Sequence, residues 1–145
     1  MPKNFDWYPR NIAFITPSRS LSNQTNELDS LQVAKFLFDK IRIDGEREVS
    51  KVIRIFRASE DGWNAADFHR ECDNKGPTLS LIRSSVSYLA AGFTSKSWTS
   101  VAGHVEDESA MVFALTHEPQ SEPQMFKTNY SEQAVWHNQH RGPYF

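Results

Sequence analysis

The sequence is poor in cysteine and glycine and carries no large excess of charge of either sign. Its one cysteine, Cys72, excludes an intramolecular disulfide and favours a reducing compartment. A net charge of −2 gives no sign of the basic surface on which electrostatic nucleic-acid binding depends. The six glycines form neither a phosphate-binding loop nor a dinucleotide-binding fingerprint. The composition therefore argues against a protein that binds nucleic acid or nucleotides.

Long hydrophobic runs are missing as well. Residues 1–20 contain no apolar stretch long enough for a signal peptide or a membrane-spanning helix, and their prolines favour an irregular or extended chain. No lipidation pattern stands at either end. We therefore expect a cytoplasmic protein without membrane insertion. Residues 1–20 are predicted to form an arm that packs on a single domain, residues 21–145.

What the chain does have is a high content of aromatic side chains, 12% of its residues, and a clear helical pattern near its start. In residues 22–41 apolar side chains recur at steps of three and four, which predicts an amphipathic helix. N-cap oxygens are offered by Ser22, Thr25 and Asn26, and Gly45 follows as a stop. The predicted buried stripe consists of Leu28, Leu31, Ala34, Phe38 and Ile41.

Residues 51–81 predict a strand, a short capped helix and a second strand. Val52–Arg57 alternates apolar and polar side chains, and its isoleucines are expected to face the core. A turn over residues 59–62 leads to Asn64, a good N-cap, with Asp67 three residues later to accept from the free backbone donors. The inward face of the helix is expected to carry Ala65, Phe68 and Cys72.

Short strands dominate the rest of the chain. A turn cluster at residues 73–77 separates them from the helix, and serine, glycine or proline marks the loops between them. The predicted strands span residues 78–82, 88–93, 110–115, 124–128 and 133–137. Early helices followed by several strands predict an α+β fold.

A series of short motifs follows these elements. In chain order they are Arg57-Ala58-Ser59, Asp61-Gly62, Phe68-His69, Cys72-Asp73, Gly76-Pro77-Thr78, Gly92-Phe93-Thr94, Trp98 and Phe113. No single motif is specific, but the ordered series, over roughly residues 12–145, resembles the TLDc domain of the oxidation-resistance protein family.

The resemblance implies a β-sandwich of two antiparallel sheets flanked by short helices, with no established cofactor. It also implies a part in resistance to oxidative stress, through binding and regulation of a cytosolic assembly such as the vacuolar-type proton pump. Family members continue beyond the position of Phe145 into further strands. We therefore expect a domain that is incomplete at this end or completed by another chain, with an unpaired sheet edge.

Cys72 is the candidate for thiol chemistry. A peroxide-reactive thiol needs exposure and a lowered pKa. Cys72 is instead predicted near the C-terminal end of its helix, where the helix dipole disfavours the thiolate, and on the same face as Phe68. The sequence therefore favours a buried structural cysteine over a redox site.

The other polar residues favour structure over catalysis. Ser59, Glu60 and Asp61 could be combined with His69 into a hydrolytic set, but no nucleophile elbow surrounds Ser59, and ordinary turn chemistry accounts for it. His69 with Cys72, or His137 with His140, supplies too few ligands for a structural zinc site, so no metal is predicted.

The family motifs are instead interpreted as structural positions. Gly62 is expected in a backbone conformation that other residues resist, and Gly92 at a bulge or a close backbone approach. The full set of expected structural residues is Ser59, Asp61, Gly62, Phe68, Cys72, Gly76, Pro77, Gly92 and Trp98.

Three functional hypotheses follow from the sequence. The favoured one is a non-enzymatic protein-interaction domain that docks on a cytosolic assembly, such as the proton pump. The second is an antioxidant protein that uses the Cys72 thiol. The third is a structural component of a multi-chain assembly, in which a neighbouring chain supplies the missing strands.

Overall fold

The helices and strands of the chain come from a computed structural model that describes residues 10–15, 27–41, 52–83, 88–116 and 122–145. In chain order the elements are β1 (Arg10–Ile15), α1 (Glu27–Lys40), β2 (Val52–Arg57), α2 (Ala58–Asp61), α3 (Ala65–Cys72), β3 (Thr78–Arg83), β4 (Leu89–Thr94), β5 (Gly103–Val105), β6 (Met111–Thr116), β7 (Gln124–Lys127), a 3-10 turn (Ser131–Gln133) and β8 (Val135–His137).

These strands form two sheets. Six of them lie in the order β2-β1-β3-β4-β6-β7, and β5 pairs with β8 in a separate antiparallel ribbon. The pairs from β3 to β7 are antiparallel, whereas β1 runs parallel to both of its neighbours. The predicted α+β fold with two sheets and short helices is confirmed. Strand β1, which falls within the predicted arm, lies inside the larger sheet.

The five strands predicted after α3 are all present, with ends that shift by a few residues. The largest shift concerns β8, which begins at Val135 because the preceding residues form the 3-10 turn. Strand β5 was not predicted, since three residues are too short to show an alternating pattern. The predicted helix start at Ser22 and stop at Gly45 lie outside the described residues.

Helix α1 covers one face of the larger sheet. Leu37 and Ile41, one helical turn apart, are buried against alternate residues of β3, β4 and β6, and Val33 and Phe36 pack beside them. The predicted stripe is therefore right at Ile41. It was wrong at Phe38, which is half-buried, because Leu37 takes the core position. The side chains of Leu28, Leu31 and Ala34 lie outside the described ones.

Helix α3 and the β5–β8 ribbon cover part of the opposite face. Their core is built on Phe56, Phe68, Cys72, Trp98 and Val135. The expectation that the isoleucines of β2 face the core is confirmed for Ile55, which packs against this core. Phe56 is the more deeply buried residue, at 2% exposure, whereas Ile53 and Ile55 are half-buried. Phe56 is favoured because the ring of Phe68 packs edge-on against it, with ring centres 5.6 Å apart.

Gly92 in β4 makes room for the ring of Phe145, which packs on this second face. A Cβ atom at position 92 would lie 2.3 Å from that ring, so a close approach of the kind predicted from the sequence is present. The register shift in this strand falls between Leu89 and Ala90 instead. The ring of Phe145 also meets Trp98 edge-on, at 5.6 Å.

Replacing Gly92 with alanine should therefore displace Phe145. We expect Gly92→Ala to lower the free energy of unfolding by about 1–3 kcal/mol, the usual range for overpacking a fitted site. Urea unfolding measures the loss. Gly142→Ala is the matched control, because a Cβ at Gly142 meets open space.

A double-mutant cycle with Phe145→Ala shows whether contact with the Phe145 ring causes the stability loss of Gly92→Ala. Removing the ring should make most of the cost of Gly92→Ala disappear. Equal losses for Gly92→Ala with and without Phe145 would contradict this contact.

Candidate functional site

The joint between β2 and α3, residues 58–64, is held in place by hydrogen bonds and ion pairs of charged residues in and beside it. The predicted turn at residues 59–62 is a single turn of helix, α2. The Arg57 backbone N–H donates to Asp61 Oδ2 at 2.6 Å, and the Glu60 carboxylate accepts from Arg54 and Arg57 at 2.8 and 2.7 Å. These carboxylates are engaged in local hydrogen bonds and ion pairs, and His69 makes its contacts elsewhere. The structure does not assemble the hydrolytic set.

Asp67 connects this joint to the start of α3. Its Oδ2 accepts the Asn64 backbone N–H at 3.1 Å, which is the capping interaction predicted from the sequence. Hydrogen bonding from the Arg70 guanidinium, at 2.8 Å, and from Asn64 lowers the pKa of the Asp67 carboxyl. Gly62 adopts φ +117°, and a Cβ there would lie 2.2 Å from Asp67 Oδ2, so glycine is required on both counts.

Cys72 is a fully buried free thiol. It lies in the aromatic core with Phe68 and Trp98, at 0% exposure. Burial, together with the negative charge of Asp73 and Glu71, raises the pKa of the Cys72 thiol to about 12. A reactive cysteine requires the opposite environment, with access to solvent and a stabilised thiolate.

His69 links α3 to residues 138–145. Its Nδ1 lies 2.7 Å from Asp73 Oδ1, and its Nε2 lies 2.9 Å from each of the carbonyl oxygens of Asn138 and Arg141. Ser100 Oγ donates to the second oxygen of Asp73 at 2.8 Å. The ring is 7% exposed. The sequence did not predict these partners, because two of them lie about seventy residues along the chain.

The other histidines that the structure describes do not gather around a common point. His137 is buried beside Trp98, with Nδ1 3.0 Å from Thr99 Oγ1, and burial lowers the pKa of its imidazole. His140 is exposed and bonds to Gln139, and His104 stacks edge-on against Trp136. Within the described ranges no group of three or more His, Cys, Asp or Glu side chains is placed to hold a metal ion.

Trp98 is the centre of the core on this face. It is 1% exposed, and its indole N–H donates to Thr78 Oγ1 at 2.8 Å, which ties the core to the first residue of β3. Gly76, with φ +80°, donates its backbone N–H to Ser97 Oγ at 3.0 Å before half-buried Pro77 leads into the strand. Trp63, which lies in the joint between β2 and α3, is 52% exposed.

Asp107 organises a turn that sequence reasoning missed. This carboxylate is 1% exposed and accepts four hydrogen bonds, from Thr94 Oγ1 at 2.6 Å, Ser95 N at 2.7 Å, Ser95 Oγ at 2.8 Å and Ser109 N at 2.9 Å. The contact from Ser109, two residues later, is the local Asx pattern, which could have indicated a turn. The contacts from the end of β4 could not be anticipated from spacing.

Among the residues that the structure describes, none covers the second face of the larger sheet beyond Phe145. Val112 pairs with Gly92 on one side and with Phe126 on the other, so all three lie on this face. Ile82 pairs with Ala90 one step along the same face. Ile82, Val112 and Phe126 are 41%, 40% and 50% exposed, and Ala90 is exposed too. We refer to Ile82, Ala90, Val112 and Phe126 as the open face.

The open face ends at a strand edge. Strand β7 is the last in the sheet order, and its outer side pairs with none of the described strands. Exposed apolar side chains beside a free edge are the features through which sheets meet other chains. Sequence reasoning did not locate this surface, because β6 and β7 show alternation without showing which face stays uncovered.

Comparison with known proteins gives one match. The family model described as the TLDc domain matches residues 22–145. No curated protein and no solved structure matches the chain.

The burial of Cys72 predicts that its thiol reacts very slowly with alkylating reagents. Near neutral pH, alkylation by iodoacetamide should be far slower in the folded chain than in the chain unfolded in urea. The rise in pKa from 9.0 to about 12 alone corresponds to about a thousandfold less thiolate. Mass spectrometry of the alkylated fraction over time measures both rates. Folded and unfolded chains that react equally fast would contradict the buried thiol.

The four bonds to Asp107 predict a large structural cost for its replacement. Asp107→Asn turns an amide N–H₂ towards donors and removes the charge that they stabilise, so we expect a loss of about 3 kcal/mol in unfolding free energy. Glu106→Gln, the same change at an exposed neighbour, should cost less than about 0.5 kcal/mol. Urea unfolding compares them, and equal stabilities would refute the assigned role.

Proposed function

The chain belongs to the TLDc domain family, and from this premise we propose that it is a non-catalytic protein-interaction domain of the oxidation-resistance type. Its partner in this proposal is a cytosolic assembly, the vacuolar-type proton pump, which the domain binds and regulates. Membership of the family supports the general link to oxidative stress. The pump as partner rests on the family resemblance.

The open face is the observation that carries the interaction role. Val112 and Phe126 are cross-strand neighbours on β6 and β7, the last two strands in the sheet order, and Ile82 lies on the same face of β3; each is about half exposed. Exposed apolar residues scattered singly are ordinary, whereas several on one sheet face are typical of a binding surface. A partner that covers Val112 and Phe126 would bury an aromatic anchor, the kind of side chain that dominates binding energy.

The use of the polar residues supports a non-catalytic role. The carboxylates of Glu60 and Asp61 fasten the β2–α2 joint, Asp67 caps α3, and Asp107 holds a turn. His69 is bonded to Asp73 and to backbone carbonyls. Each of these groups has a structural partner.

The environment of Cys72 weighs against the thiol hypothesis. A sacrificial or peroxidatic thiol would have to reach the solvent as a thiolate, and burial in the aromatic core opposes both requirements. The interaction role needs nothing from this residue other than its packing. No helix among the described residues has the length and hydrophobicity to cross a membrane.

Polar substitution on the open face should weaken partner binding. We expect Val112→Ser to reduce retention of pump subunits from a cell extract by about tenfold, as the loss of a buried apolar contact near the centre of an interface does. Quantitative immunoblotting of known pump subunits measures the retention. Val101→Ser is the matched control, because Val101 is 76% exposed but lies in the β4–β5 loop, outside the sheet.

Two outcomes of the binding experiment would contradict the proposed function. Equal retention by the two Val→Ser variants would remove the open face as the binding surface. Failure of the unsubstituted chain to enrich any pump subunit would remove the pump as the partner.

A further inference from the structure

The polar environment of His69 consists of acceptors on both sides of its ring. Nδ1 faces a carboxylate oxygen of Asp73, and Nε2 faces the carbonyl oxygens of Asn138 and Arg141, all within 2.9 Å. A neutral imidazole has one N–H and one lone pair. In either neutral tautomer, therefore, one ring nitrogen would point its lone pair at an oxygen lone pair.

We propose that His69 is a proton-dependent clasp, in which an imidazolium ion donates from both ring nitrogens and thereby holds residues 138–145 against α3. The charged ring satisfies all three acceptors, and Asp73 balances its charge. Loss of the proton leaves one nitrogen facing an acceptor without a hydrogen, so it weakens the hold on either Asp73 or the 138–145 segment.

The charges around the clasp are consistent with this assignment. Asp73, on the same helix, supplies the negative charge, and Ser100 orients its second oxygen. Arg70 is held by Asp67 and Glu71. Burial lowers the pKa of the His137 imidazole of β8, which disfavours a second positive charge beside the clasp.

On the 138–145 segment, the charged or titratable side chains are Arg141, His140 and Tyr144. All three are exposed, and His140 lines an open depression of about 510 Å³ beside His69. Solvent therefore screens any charge on these side chains from the imidazolium.

The direction of the pH effect follows from the shift in pKa. Burial alone would lower the pKa of His69, but the hydrogen bonds to Asp73, Asn138 and Arg141 outweigh it and raise the pKa above the ordinary value of 6.5. A raised folded pKa means that the clasp contributes its full stability below about pH 6.5, the unfolded value, and loses it as the pH rises through the folded value.

The clasp controls what covers the sheet beside the open face. Within the held segment, the Tyr144 carbonyl accepts the Trp136 N–H at 3.0 Å, and the ring of Phe145 sits over Gly92 and against Trp98. Opening of the segment would extend the open face from Val112 across Gly92 towards Trp98. This consequence, proton-regulated exposure of a docking surface, rests on the proposed interaction function; the clasp itself does not.

Nitrogen NMR of the histidine rings in the unsubstituted chain tests the clasp without any partner. The midpoint of the His69 titration should lie above about 6.5, the ordinary imidazole value, and below that midpoint both ring nitrogens should show the shifts of a protonated imidazolium. A His69 ring that titrates at or below about 6.5 would overturn the proposal.

Hydrogen exchange then tests whether the proton holds the segment. The amides of Arg141 and Trp136 bond to the carbonyls of Asn138 and Tyr144, so their protection factors report closure. We expect protection at both amides to fall as pH rises through the His69 midpoint. Asp73→Asn should move that fall to lower pH, because it removes the balancing charge, whereas His140→Gln should leave it in place. Protection that does not change with pH would overturn the clasp.

A binding titration separates the two proposals. If the clasp and the docking role both hold, retention of pump subunits should rise at the pH where Arg141 and Trp136 lose protection. If protection changes with pH while retention does not, regulated exposure is wrong and the clasp stands. If retention depends on Val112 while protection is constant, the docking role stands and the clasp is wrong.

Discussion

The packing of Phe68 is the contact on which the second face of the sheet depends. Its ring meets Phe56 of β2 at 5.6 Å, Trp98 of the β4–β5 loop at 5.7 Å and the ring of His69 at 5.3 Å. Strand β2, helix α3 and the β4–β5 loop are thereby joined through one side chain. The ring of Trp98 packs in turn against Phe145. The position of Phe145 over Gly92 therefore depends on the same cluster.

This cluster explains why the family motifs act as structure. Phe68, Cys72 and Trp98 form the core, and Asp67 and Gly62 set the direction in which α3 enters it. A thiol at the centre of such packing cannot reach an oxidant without unfolding of the helix around it. This packing supports the proposal that the domain contributes to oxidative-stress resistance through a binding surface and not through chemistry at Cys72.

Local features of the fold could be predicted, and non-local ones could not. The capping of α3 by Asp67 depends on residues three apart, and the strands after it show in their own alternation. The deep burial of Phe56 and the two carbonyl partners of His69 depend on contacts with segments that are distant in the sequence. The open face could not be predicted either, because alternation shows two faces of a strand without showing which is covered.

Survival of peroxide-treated cells tests the central claim, that the domain acts through its surface and not through its thiol. Cells that lack their own TLDc protein would express the chain, Cys72→Ala or Val112→Ser at matched folded abundance. The account predicts that Cys72→Ala protects as well as the unsubstituted chain and that Val112→Ser fails to protect. Protection that is lost with Cys72→Ala and kept with Val112→Ser would contradict it.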